Sequence, residues 1–250
     1  MSPFEAIAII GAGLAAGTIN TIVGSGSLIT FPTLVALGYS PLVANVSNTV
    51  GLVPGSLSGA VGYRRELVGQ RARAIRLGIA SVLGGLTGGI LLLELPESAF
   101  DRIVPLLILF ATALVALQPR LARAMAGRRK TGSEHPLALT VAVYFTGIYG
   151  GYFGAAQGVI LISLLGIFVS DTLQRLNGLK NVLTTLVNGV AAVLFIIFAN
   201  VAWPAAALLA IGAICGGQLG AYVGRRLSPF VLRGAIVVVG TVVGVKMLLG

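Results

Sequence analysis

The chain holds one cysteine, one histidine and one tryptophan in 250 residues, and only 10% of its residues are charged. Each scarcity excludes something. A lone Cys215 cannot close a disulfide within the chain, and Cys215 with His135 cannot make a metal cluster. No HExxH motif occurs, and His135 sits in a basic stretch, so neither a membrane metalloprotease nor a Ser–His protease has a catalytic set. No GxxxxGK[ST] loop occurs, which excludes ATP use by the chain itself. Acidic residues number seven, and only Asp171 comes near the interior of an apolar segment. A proton relay of buried carboxylates is therefore not expected. The expectation is a protein that is not an enzyme and carries no cofactor or metal.

Charge is also missing over long distances. Residues 6–63, a run of 58, contain none. A soluble domain carries about a quarter charged residues, and a bilayer core is crossed by about 20 apolar ones. With 56% hydrophobic residues and 35 glycines, the chain reads as an all-α polytopic membrane protein. Runs near this length, rather than ten-residue alternation, exclude a β-barrel. The first segment lacks a basic leader region and is expected to be a retained helix. The net charge of +10 would suggest nucleic acid in a soluble protein, but 13 of the 17 Lys and Arg lie in three short segments, Arg64 to Arg76, Arg120 to Lys130 and Arg225 to Arg233. That is the pattern of cytoplasmic loops, so nucleic acid is not an expected partner and membrane lipid is.

Apolar segments fall at about 4–23, 27–38, 41–63, 74–93 and 101–118, then at 136–153, 157–169, 172–199, 204–223 and 230–249. The spacing predicts a first transmembrane repeat over 1–118, a basic cytoplasmic linker over 119–135 and a second repeat over 136–250. Gly17 aligns with Gly147 and Gly24 with Gly154 at an offset of 130; Asn45 aligns with Asn177, and Gly84-Gly85 and Gly88 with Gly216-Gly217 and Gly220, at 132. Basic segments placed inside and the acidic stretch 94–102 placed outside put the N-terminus outside and require an odd number of crossings per repeat. The two repeats of about five helical segments are then inverted, an arrangement that puts a substrate site between them. Segments 27–38 and 157–169 are short for a full crossing and leave re-entrant hairpins open.

Three features carry candidate chemistry. The first is a glycine break in each repeat, Gly24-Ser25-Gly26-Ser27 and Gly154-Ala155-Ala156-Gln157-Gly158. A helix starting after such a break points free N–H groups and a partial positive charge at it, a setting for anions. The alternative use is close packing of helices. The second is a polar stripe: Asn45, Asn48, Thr49 and Ser56 follow a Ser40-Pro41 helix start, and Asn177, Lys180, Asn181, Thr184 and Asn188 form a face four turns long. Such amides line a cavity or join helices to one another. The third is charge. Asp171 and Arg175, spaced i, i+4, are expected to pair, whereas Lys180 lies about 14 Å of helix further on. An unpaired lysine there attracts an anion, takes part in coupling, or reaches back to the surface.

The loop Gly24-Ser25-Gly26 with Pro32, the pair Ala44-Asn45, the run Gly151-Tyr152-Phe153-Gly154-Ala155-Ala156-Gln157-Gly158 and Asn177 with Lys180-Asn181 resemble the TauE/SafE sulfite exporter family over nearly the whole length. The first loop carries fewer glycines than many members of that family. The resemblance implies an inner-membrane transporter or facilitator for small anions, typically sulfite or organosulfonates, usually outward. The substrate-binding residues expected are Gly24, Ser25, Gly26, Ser27, Asn45, Asn48, Gln157, Gly158, Asn177, Lys180 and Asn181. Coupling to a proton or sodium ion and assembly as a homodimer stay open. A different class, a membrane assembly partner or receptor that uses glycine-rich helices for contacts, also fits the composition.

Overall fold

The computed structural model describes residues 1–128, 136–223 and 229–249. Ten α-helices make up the described residues: α1 (Pro3–Ile22), α2 (Ser27–Ala36), α3 (Pro41–Gly62), α4 (Arg71–Glu94), α5 (Glu97–Arg128), α6 (Pro136–Tyr152), α7 (Gln157–Phe168), α8 (Leu173–Phe198), α9 (Trp203–Val223) and α10 (Pro229–Leu249). Five of them (α1, α4, α5, α8 and α9) contain stretches long and apolar enough to cross a membrane. Their outward faces carry exposed apolar side chains such as Ile79, Leu83, Phe110, Ile197 and Phe198. In water such a surface would be costly; against lipid tails it is not.

Local chemistry sets the helix starts. Ser2 accepts from the Glu5 N–H while the Ser2 N–H donates to Glu5 Oε2, a reciprocal cap ahead of Pro3. Ser40 caps α3 ahead of Pro41, as the sequence predicts, and Thr172 caps α8. The short segments are helices of 10 and 12 residues, α2 and α7. One boundary differs from expectation. Residues 119–128, read from sequence as loop, continue α5 through Pro119 to Arg128. Helix-forming Leu, Ala, Arg and Met surround that proline and sustain the helix beyond the apolar run. The rest of the predicted linker, and the Arg225 to Pro229 junction up to residue 228, lie outside the described residues.

Packing repeats between the halves. Helix α1 lies against α9 as α6 lies against α4, and α3 lies against α9 as α8 lies against α4; α3 meets α8, and α5 meets α10. The correspondence reaches single residues. A side chain on Gly84, Gly85 or Gly88 would overlap Tyr144, Val187 or Ile148, and one on Gly216, Gly217 or Gly220 would overlap Leu14, Gly55 or Thr18. Each partner in the first set matches its counterpart in the second at the two offsets read from sequence, 130 or 132. Two strings of glycines thus bring two pairs of helices into backbone contact, and both strings are consumed inside the chain.

Candidate functional site

The glycine breaks meet each other. Helix α1 ends where the Val23 and Gly24 N–H groups both fold back onto Ile19 O, at 2.7 and 3.1 Å. Helix α6 ends in the same way, with Phe153 and Gly154 N–H on Tyr149 O at 2.9 and 3.0 Å. Gly24 and Gly154 then take positive φ values of 88° and 76°, which turn the chain into α2 and α7. At the crossing, the Gly158 N–H donates to Gly24 O at 3.1 Å, and a Cβ on either glycine would overlap the other's backbone.

The polar stripe serves these ends across the repeats. A helix that stops leaves its last carbonyls without N–H partners, and burial makes that costly. Asn45 Nδ2, from α3, donates to Tyr152 O at the end of α6, 3.0 Å away. Asn177 Nδ2, from α8, donates to Thr21 O at the end of α1, 3.1 Å away. Asn181 Nδ2 reaches the same oxygen at 3.4 Å, and Lys180 Nζ lies 3.0 Å from Asn20 O and 3.1 Å from Thr21 O. Helix α3 therefore caps the end of α6, and α8 caps the end of α1. Asn177→Ala is expected to cost about 0.5 to 1.5 kcal/mol of stability, the range for one lost hydrogen bond, because Lys180 Nζ and Asn181 Nδ2 still reach Thr21 O. Thermal melting of the purified protein checks this.

The remaining predicted residues divide into two groups. Asn48 is engaged: its Nδ2 donates to Ser27 Oγ at 3.2 Å, and Thr30 Oγ1 donates to its Oδ1. Gly158 is engaged through the crossing, and the Gln157 N–H donates to Gly154 O at 3.1 Å. The start of α7 thus offers less free backbone than the sequence suggests. At the start of α2 the N–H groups of Ser25, Gly26 and Ser27 have no acceptor among the described residues, against those of Ala155 and Ala156 alone ahead of α7. Among the described residues, buried side-chain atoms without a partner include Ser25 Oγ in the first break, Asn45 Oδ1, whose Nδ2 caps the end of α6, and both Nε2 and Oε1 of Gln157, whose side chain lies over Gly150. Ser25, Asn45 and Gln157 are each about 1% exposed.

Some participants carry no strong sequence signal. Tyr152, whose buried hydroxyl also lacks a partner, packs on Phe100, while Phe153 packs edge-on to Phe31 at 5.5 Å. Tyr149 donates its hydroxyl to Ala155 O at 2.5 Å and fixes the second break from inside. Asn20 and Thr21 act through backbone carbonyls, which no side-chain motif announces. Their only hint is position, one turn before Gly24. At the entrance to α8, Asp171 pairs with Arg175 at 2.8 Å as expected, and also with Arg73 at 3.6 Å. Arg175 Nη1 reaches Val68 O, and Gln70 Nε2 reaches Arg175 O, so the segment between α3 and α4 is fastened onto the start of α8. Cys215 is exposed and takes no part.

Five helices apolar and long enough to cross a membrane, with two interlocked glycine breaks between helices, form the architecture expected of membrane transporters built around discontinuous helices. A model of the sulfite exporter TauE/SafE family matches residues 9–247, and the chain belongs to that family. It is 27% identical over 234 residues to the probable membrane transporter protein YfcA of Escherichia coli K12, covering 93% of this chain and 86% of that one. It is 25% identical to a probable membrane transporter protein of Haemophilus influenzae, covering 94% and 91% of the two chains, and 26% identical to the probable membrane transporter protein ORF9 of a Sinorhizobium species, covering 95% and 90%. No solved structure matches the chain.

Proposed function

We propose that this protein is a secondary transporter or facilitator that moves a small anion, of the sulfite or organosulfonate kind, outward across the inner membrane. The site lies between two inverted repeats, where the glycine breaks cross. The observation that supports it most is the set of buried, unpartnered donors at that crossing: Ser25 Oγ, Gln157 Nε2 and the free N–H groups opening α2. Unsatisfied polar groups cost free energy when nothing binds them, and a three-oxygen anion offers acceptors to several at once. Asn45 Oδ1 and Gln157 Oε1 suit a protonated oxygen on the same substrate. Lys180 adds positive potential beside the path, and Asn48, Asn177 and Asn181 hold its walls. The alternative of a glycine-rich assembly partner loses its motivation, because the glycine strings pack against helices of this same chain.

Flux from proteoliposomes tests the reading, with sulfite, alkylsulfonates, sulfate and acetate compared under proton and sodium gradients. Selective flux of a sulfur oxyanion is expected; absence of flux for all of them would remove the proposal. The inverted arrangement has its own check. Cysteines placed at Ser98 and Thr131 in a Cys215→Ser background are expected to label from opposite faces of the membrane, with Thr131 cytoplasmic. Labelling from one face would end the inverted-repeat reading.

A further inference from the structure

Lys180 is 1% exposed, yet no carboxylate pairs with it among the described residues. Its ammonium instead faces two main-chain oxygens, Asn20 O and Thr21 O, at 3.0 and 3.1 Å. Both belong to the last turn of α1. Because the Val23 and Gly24 N–H groups both return to Ile19 O, neither of these two oxygens receives a backbone N–H from the residues that follow; Thr21 O also accepts from the Asn177 and Asn181 amides, and Asn20 O is left to the ammonium. A broken helix end of this kind carries partial negative charge and presents carbonyls to a cation. In transporters with discontinuous helices, such ends coordinate the coupling ion.

We infer that the Lys180 ammonium is a tethered cation, seated in a monovalent-cation site that the α1 break creates. The second break sharpens the point. There the buried end of α6 is capped by the neutral Asn45 amide, and Asn48, the residue aligned with Lys180, bonds to Ser27 and Thr30. Only one of the two matched helix ends holds a positive charge, and that charge is covalently part of the chain. A free sodium ion is then not needed at this position. The consequence is a site whose occupant is covalently tethered, and which becomes open to a free small cation once the side chain is cut back. This deepens the coupling side of the transport reading, but its test requires no anion.

Thermal unfolding of detergent-purified protein is measured in sodium, potassium, ammonium and choline chlorides at equal ionic strength. The wild type is expected to melt at the same temperature in all four. Lys180→Ala is expected to melt lower in choline, with a saturable rise in melting temperature on adding sodium or ammonium, as binding to the folded state requires. Recovery of the Ala variant only when it is purified in one of those small cations counts the same way. A folded Ala variant indifferent to all four salts would overturn the inference, as would a wild type stabilised by sodium as strongly as the variant. If Lys180→Ala is recovered from no salt, Lys180→Gln decides. This variant, with its neutral amide, is measured in the same four salts: a melting temperature that rises in sodium or ammonium over choline upholds the inference, and a Gln variant as stable as the wild type, or lowered equally in every salt, overturns it. Flux can fail while this cation response persists, and the reverse, so the two readings fall separately.

Discussion

Gly24→Ala is expected to yield no monodisperse protein, while Gly38→Ala is expected to remain folded. Both glycines have positive φ, 88° and 90°, so alanine at either pays the left-handed strain of about 1 to 2 kcal/mol. They differ in what surrounds them. A Cβ on Gly38 meets nothing within 4 Å, whereas one on Gly24 overlaps the Gly158 backbone and breaks the approach that the Gly158 N–H to Gly24 O bond requires. Backbone cannot rotate away as a side chain can, so the two breaks must separate and the cross-repeat caps must separate with them. Size-exclusion profiles of fluorescent fusions compare the pair directly. Similar profiles would mean that the crossing tolerates a methyl group and that strain alone governs these positions. Gly158→Ala, which adds the same overlap from the other side without a positive φ, is expected to resemble Gly24→Ala rather than Gly38→Ala.

Gln157→Met is expected to melt no lower than the wild type and to lose at least about tenfold in anion flux, equivalent to roughly 1.4 kcal/mol. The amide is 1% exposed and neither of its polar atoms has a partner among the described residues. An unsatisfied buried group costs about 1 to 3 kcal/mol, so an unbranched apolar side chain of similar length removes a penalty rather than a bond. A residue kept only for stability would behave in the opposite way. Reconstituted flux and thermal melting, taken on the same preparation, separate the two. Unchanged flux would exclude Gln157 from the path, and a large loss of stability would point to a bond made by this amide. Asn45 offers the contrast within the same site. Its Oδ1 is free but its Nδ2 holds Tyr152 O, so removing that side chain is expected to harm folding and transport together.

Much of the architecture was legible in the sequence because the bilayer constrains it strongly. Apolar run length gave ten helical segments with boundaries near those observed, and Ser40-Pro41 gave the start of α3. The two Gly-Gly-x-x-Gly strings marked two places of close helix contact, since only glycine permits helix backbones to touch. The continuation of α5 to Arg128 was missed because charge ended the apolar run while the helix did not end with it. The site was legible in outline only. Asn45, Asn177, Lys180 and Asn181 were identifiable as polar groups on apolar helices, but their acceptors were not. Tyr152 O and Thr21 O are main-chain atoms, 107 and 156 residues away from Asn45 and Asn177.

The sequence by itself determined a membrane protein of many apolar helices, broken at two glycine loops, with amides placed on a long polar face in each half. Hydropathy, the absence of charge and glycine's missing side chain suffice for that, because each acts locally or at fixed spacing. Only the tertiary structure decided what those amides do. It separated donors that are engaged, on Asn48, Asn177 and Lys180, from groups that are not, on Ser25 and Gln157. The reason is that hydrogen-bond satisfaction is a property of pairs. A carbonyl orphaned where one helix stops is found, or left alone, according to which helix of the other repeat lies against it.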